Sequence, residues 1–177
     1  MNALMLMENI GFKVTWKLIA LGLDCIEGTS PLLTYSELLD YLTDCLGRNA
    51  RQIDNIIHLI CNSSSNDKVK SIINSFVADD SSLYSIQQRK WRVYRLKSLL
   101  DMKHQDYLQG LLSLMEFWTA EECSDNCPQT FPTDNDQVSI QTYFTAATYQ
   151  NMLERNSAWL EKEIQSITRF ENDLEGL

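Results

Sequence analysis

Cys123 and Cys127 are the residues whose spacing comes closest to that of a metal site. A structural zinc site normally has four ligands, from two such cysteine pairs or from a cysteine pair and a histidine pair. The chain has no second cysteine pair, and its two histidines, His58 and His104, are not spaced as a ligand pair. Two free loop thiols are the favoured interpretation, and we expect neither a metal nor another cofactor.

The histidines and the pair Glu121-Glu122 are the candidates for acid–base chemistry. His58 lies in an apolar helical segment, where a hydrogen-bonded structural histidine is expected, and His104 lies at a helix end, where an imidazole can bond free carbonyls. Adjacent residues such as Glu121 and Glu122 point in different directions on a helix, so a solvated helix end is expected. The sequence also lacks the G-x-S-x-G, H-E-x-x-H and P-loop motifs. These observations predict that the protein is not an enzyme.

Charge is distributed unevenly along the chain. The net charge of −9 combines −4 over residues 1–88, +5 over residues 89–105 and −10 over residues 106–177. The positive segment interleaves Trp91 and Tyr94 with five basic residues: Arg89, Lys90, Arg92, Arg95 and Lys97. In a basic protein this pattern is typical of single-stranded nucleic-acid binding, but the acidic remainder favours internal ion pairs with the C-terminal segment.

The acidic balance bears on the choice of partner. We expect no direct binding of nucleic acid, because neutralising phosphates with Lys and Arg supplies most of that affinity. An acidic surface instead favours and accelerates docking of a basic partner.

The elements that position these residues are predicted to be helices. Six glycines and three prolines in 177 residues are too few for the many turns of a β-rich fold. Thr15 can cap a first helix, and Thr34-Tyr-Ser-Glu37 has the form of a capping box. We predict an all-α fold, a compact single-domain bundle of about six to eight helices over residues 1–177. No segment resembles a secretory signal or a membrane span, so a cytoplasmic protein with reduced cysteines is expected.

A central helix is predicted near residues 83–103, and a long C-terminal helix over residues 149–174. The central helix has two apolar stripes on opposite sides, which is typical of a helix buried between neighbours. One stripe consists of Ile86, Val93, Leu96 and Leu100, and the other of Trp91, Tyr94 and Met102.

Shorter helices are predicted on either side of the central one. Residues 49–61 are expected to bury Ile53, Ile56, Ile57 and Ile60, and residues 106–121 to bury Leu108, Leu111, Leu112, Met115 and Trp118. Residues 121–138 contain Pro128 and Pro132 without apolar periodicity, so they predict a long acidic loop of functional interest. A short helix is expected over residues 139–147.

Single tryptophans at these helix positions resemble a known pattern. Its elements here are Thr15-Trp16-Lys17 with Gly22, Lys90-Trp91 followed by Leu99-Leu100, Trp118, a Pro-containing loop, and Trp159 in a long last helix. Together they resemble a bacterial family of helical proteins of unknown function. Its members are encoded beside polymorphic toxins and are regarded as immunity proteins of the contact-dependent growth inhibition type.

The resemblance implies an immunity protein that binds and neutralises a cognate toxin domain, most often a nuclease. It would occlude a basic cleft of the toxin, in a 1:1 complex formed by a monomer without contact to nucleic acid or membrane. The expected docking residues come from the acidic loop and the C-terminal helix: Glu121, Glu122, Asp125, Phe131, Asp134, Asp136, Glu161 and Glu163. A helical adaptor or scaffold that binds another cellular protein is the alternative.

Overall fold

A computed structural model describes residues 2–24, 31–48, 53–63, 65–80, 82–102, 104–121, 127–129 and 143–175 of the chain. These residues form eight helices and no strand, which confirms the predicted all-α fold. The helices are α1 (Ala3–Ile10), α2 (Trp16–Leu23), α3 (Tyr35–Gly47), α4 (Ile53–Cys61), α5 (Asn66–Asp79), α6 (Tyr84–Asp101), α7 (Tyr107–Ala120) and α8 (Ala146–Glu175). None of them is long and apolar enough to span a membrane. The short helix predicted over residues 139–147 lies mostly outside the described residues.

Local capping signals explain where several of these helices begin. The hydroxyl of Thr15 accepts a hydrogen bond from the backbone N–H of Leu18 (3.2 Å) at the start of α2. At α3 the capping box is complete, since Thr34 accepts from the Glu37 N–H and the Glu37 carboxylate accepts from the Thr34 N–H. The sequence prediction missed α1, although Asn2 caps its start and Gly11, at φ 99°, ends it in the left-handed conformation that glycine tolerates.

The chain divides into two compact units, and helices α6 and α8 contribute residues to both. Unit 1 comprises residues 1–91 and 167–177, and unit 2 comprises residues 92–166. The sequence predicted a single domain over residues 1–177, and this stays a prediction. Val93 and Leu96 are fully buried, as expected for the central helix, while the predicted C-terminal helix begins slightly earlier than the pattern indicated.

In unit 1, the indole of Trp91 lies directly against α2. Its Nε1–H donates to the carbonyl of Leu18 (2.8 Å), and the ring occupies the space that a Cβ at Gly22 would need. Across α2, the ring of Trp16 packs on Phe76 of α5 with centroids 4.8 Å apart. The helix–helix contact between α2 and α6 therefore depends on a glycine at position 22.

Helix α4 buries a different face from the one predicted. Ile56 and Leu59 are buried, whereas Ile53 and Ile57 are exposed. The prediction for His58 was also wrong, because its side chain is exposed and contacts Phe76 edge-on. The reason is tertiary: α4 packs between α3 and α5, and only the side facing those two helices is covered.

In unit 2, α7 and α8 run parallel. Gly110 lies against the Tyr149 ring, and eight residues further along α7 the Trp118 indole donates to the Asn156 side chain (2.6 Å). Trp118 also packs edge-on against Trp159, with centroids 4.9 Å apart. Two neighbouring parallel helices need a long connection between them, which accounts for the number of residues between α7 and α8.

The buried face of α7 is also rotated from the predicted one. Leu111 and Trp118 are buried as expected, but Leu108 and Leu112 are 42% and 43% exposed, and Leu114 and Phe117 are buried in their place. Neighbouring helices decide which third of a helix with apolar residues on several sides is covered.

Candidate functional site

Four basic residues of α6 form ion pairs with carboxylates of the same chain: Lys90, Arg92, Arg95 and Lys97. Lys90 is 0% exposed, and its Nζ donates to Glu171 Oε1 (2.6 Å) and to the Lys13 carbonyl (2.6 Å). Burial lowers the pKa of the Lys90 ammonium, and the Glu171 carboxylate opposes that shift. Lys97 pairs with Asp101 one turn away (3.2 Å). Internal pairing with the acidic C-terminal segment, the favoured interpretation of this basic segment, is thus confirmed for Lys90, whereas Lys97 pairs within its own helix.

Glu121 is part of the same arrangement and is not a solvated helix end as predicted. Its carboxylate accepts from Arg92 Nε (2.7 Å) and from Arg95, and its side chain is only 12% exposed. Its backbone N–H donates to the carbonyl of Phe117, so Glu121 caps α7 at the same time. The two arginines lie 29 and 26 residues earlier in the chain, and no local pattern identifies such partners. Glu121 is therefore a structural residue of unit 2.

The other predicted docking residues are only partly described. Glu161 is exposed on α8, and Glu163, two positions further, is half-buried and points to a different side of the helix. The remaining predicted docking residues lie outside the described residues: Glu122, Asp125, Phe131, Asp134 and Asp136. Apart from the structural role of Glu121, the predicted docking set therefore stays a prediction.

The cysteine prediction needs a correction. Cys127 is disulfide-bonded, whereas a free thiol was expected. Among the described cysteines, Cys45 is buried and Cys61 exposed, and both are free. An odd set of five cysteines leaves the pairing open in the sequence, because pairing depends on which side chains the fold brings together. The described residues contain no group of three or more side chains suited to hold a metal ion.

His104 does not bond carbonyls through its imidazole as expected of a histidine at a helix end. Its Nε2 is buried without a hydrogen-bond partner, just before α7 begins. The nearby Tyr149 hydroxyl interacts with the His104 backbone, while burial raises the pKa of that tyrosine.

Unit 2 exposes several large apolar side chains that the sequence prediction did not single out as a surface. Met102 is 63% exposed at the end of α6, and Tyr107, Leu108 and Leu112 are exposed on the first half of α7. The acidic residues Asp101, Asp106 and Glu116 are exposed on the same two helices. We call these seven residues the α6–α7 surface. Large apolar residues exposed together beside polar ones are typical of a protein-interaction site.

A groove of about 510 Å³ lies between α6 and α7. Leu99, Met102 and Phe117 supply its main apolar lining, and Glu116 stands on the α7 side. Three small residues, Ser98, Ser113 and Ala120, line it as well. One sequence feature pointed to this groove, namely the second apolar stripe of α6, which consists of Trp91, Tyr94 and Met102. Of these three side chains only Trp91 is buried, and the other two line the groove.

Comparison with known proteins identifies a family but no characterised relative. No curated protein and no solved structure matches the chain. One family model, described as an uncharacterized protein conserved in bacteria (DUF2247), matches residues 5–164, which is most of the chain. The chain therefore belongs to the DUF2247 family of bacterial proteins.

Proposed function

We propose that this protein is an immunity protein that binds a cognate toxin domain and neutralises it. The observation that carries the proposal is the α6–α7 surface, which combines the exposed apolar residues Met102, Leu108 and Leu112 with exposed carboxylates on the same two helices. Interfaces of this kind take their affinity from a few apolar anchors that become fully desolvated, while charges at the rim set partner choice and association rate. No enzymatic step is part of the proposal.

The charge of the protein selects the class of toxin. The chain carries −9 overall and −10 over residues 106–177. A nuclease binds phosphates through a basic cleft, and an acidic protein can occupy that cleft and exclude the nucleic acid. We therefore propose a nuclease toxin whose basic cleft is occluded in a 1:1 complex in the bacterial cytoplasm. Glu161 remains a predicted rim residue of this complex, together with four acidic residues of the loop: Glu122, Asp125, Asp134 and Asp136.

The proposal expects the gene directly upstream to encode a large secreted protein with a toxin domain at its C-terminus, and the experiment is co-expression with that domain. Growth of cells that make this domain is expected to depend on the wild-type protein. A Leu108→Asp/Leu112→Asp double variant is expected to lose protection, since both changes place carboxylates at the anchors. The matched control is Ile53→Asp/Ile57→Asp, which changes an equally spaced, exposed pair on α4 of unit 1 and is expected to protect.

Two outcomes would count against the proposal. If the wild-type protein does not restore growth although both proteins are made, the immunity function is refuted and the adaptor alternative gains. If the α4 variant abolishes protection and the α7 variant does not, the docking surface is on unit 1 and the carrying observation is wrong. Thermal unfolding of both variants establishes that they fold.

A further inference from the structure

One stripe of α6 is covered in its first half and open in its second. Gln87, Trp91, Tyr94, Ser98 and Met102 follow each other at helical spacing, so they share one side of the helix. Gln87 and Trp91 are buried, and α2 lies against Trp91 in unit 1. Tyr94 and Ser98 are half-buried, and Met102 is exposed, where this side of the helix lines the groove of unit 2.

We infer that the groove between α6 and α7 receives an amphipathic helix of the toxin, which presents a Lys or Arg to Glu116. This inference rests on the proposed function and names the part of the partner that docks. The open stretch from Tyr94 to Met102 is about 12 Å long, which corresponds to roughly two turns of helix. Helix-in-groove recognition uses such a length, with anchors one turn apart.

The lining residues favour a helix over a bulky loop. Ser98, Ser113 and Ala120 have small side chains, which leave room for a helix backbone beside the apolar lining residues Leu99 and Phe117. This repeats the physical arrangement of unit 1, where Gly22 lets α2 approach Trp91 on the same stripe.

The Glu116 carboxylate indicates which residue type the docking helix presents on its polar side. Glu116 is exposed at the groove and makes no hydrogen bond or ion pair within the described part of the chain. Arg95, the basic residue that also lines the groove, is already committed to Glu121. A cation from the partner can therefore pair with Glu116, whereas an acidic helix would bring a second carboxylate beside it without compensation.

The test measures affinity for the purified toxin domain that the co-expression experiment uses. Ser113→Trp fills the groove and is expected to raise Kd at least about 100-fold. Glu116→Lys reverses a groove charge that is unpaired among the described residues and is expected to raise Kd about 10-fold. Two matched controls in unit 1, Ser71→Trp on α5 and Asp173→Lys on α8, change exposed residues and are expected to leave Kd within about two-fold.

Hydrogen exchange on the toxin domain identifies the docked segment. The segment protected by the wild-type protein and released by Ser113→Trp is expected to be helical, with Lys or Arg beside apolar residues. The inference is overturned if wild-type protein binds and both groove variants bind equally well, or if the released segment is a strand or an acidic helix. Glu116→Lys keeps the test valid if Ser113→Trp does not fold, and absence of wild-type binding refutes the proposed function instead.

Discussion

The side chains of helix α6 have different surroundings in the two units. In unit 1, Lys90 and Trp91 are buried and each donates to a backbone carbonyl, and Lys90 additionally meets a buried carboxylate. In unit 2, Arg92 and Arg95 share Glu121 near the surface, and the helix ends on an exposed Met102. Buried polar contacts that are satisfied define a unique packing, so Lys90 and Trp91 fix the position of α6 within unit 1, whereas the second half of the helix is held by partly exposed ion pairs and ends at the surface.

The strongest way to break this comparison is to remove Lys90. A Lys90→Met variant leaves the Glu171 carboxylate buried without its cation, and the expected loss of unfolding free energy is about 3–5 kcal/mol. The matched change in unit 2, Arg95→Ala, removes a partly exposed pair and is expected to cost at most about 1 kcal/mol. Urea unfolding monitored by circular dichroism measures both values.

A double variant separates charge burial from packing in this experiment. Lys90→Met/Glu171→Met is expected to recover most of the loss, because an apolar pair of similar volume often replaces a buried ion pair without penalty. An equal loss in Lys90→Met and Arg95→Ala would show that the two units are not held differently.

Glycine substitutions test the close helix contacts next. In Gly22→Ala the new Cβ overlaps the buried, hydrogen-bonded Trp91 ring, and the expected loss is about 2–3 kcal/mol. Gly110→Ala overlaps the Tyr149 ring, which is half-buried and can move, so a loss of about 1–2 kcal/mol is expected. Gly47→Ala meets no atom and is expected to stabilise α3 by about 0.5 kcal/mol. A Gly22→Ala variant as stable as Gly47→Ala would contradict the tight α2–α6 contact.

Acid stability is expected to depend on Asp80 of unit 1. Burial raises the pKa of Asp80, but hydrogen bonds from Ser82, from the Lys17 backbone N–H and from Thr15 outweigh it and hold the pKa below its usual value. Because the folded-state pKa is lower than the unfolded one, this stabilisation is complete above the unfolded-state pKa. It disappears as the pH falls through the folded-state pKa.

The variant that reveals this dependence is Asp80→Asn. It is expected to lose about 1–2 kcal/mol at neutral pH and to show a flatter decline of melting temperature between pH 5 and pH 2. The unit 2 comparison is Asp106→Asn, which keeps the N-cap of α7 and is expected to change stability by less than about 0.5 kcal/mol. An unchanged acid profile in Asp80→Asn would place the acid sensitivity elsewhere.

The smallest expected effect is that of Met102→Glu on stability. This side chain is 63% exposed, so its replacement is expected to change the free energy of unfolding by no more than about 0.5 kcal/mol. The corresponding change on the opposite side of α6, Val93→Asp, buries a carboxylate at a position that is 0% exposed and is expected to cost several kcal/mol of unfolding free energy. A large loss in Met102→Glu would show that the groove end of α6 belongs to the core.

Helix class and helix boundaries were determined largely by the sequence itself. Thr15, Thr34 and Glu37 act on backbone groups within three residues, so their capping roles are readable without knowledge of the fold. The two apolar stripes of α6 were equally readable, because helical periodicity places their members on two sides. These are local interactions, and local sequence contains all the residues that make them.

Only the tertiary structure decided which faces are covered and which charges are paired. Ile57 and Leu112 have the character of core residues but are exposed, because no neighbouring helix of the described chain covers them. Glu121 meets arginines 26 and 29 residues away, and Lys90 meets Glu171 81 residues away. The sequence could indicate that the acidic C-terminal segment would take up basic residues of α6, but not which ones. Burial and ion pairing depend on residues that are close in space but distant in the sequence. Local sequence patterns do not identify those residues, so only the tertiary structure reveals them.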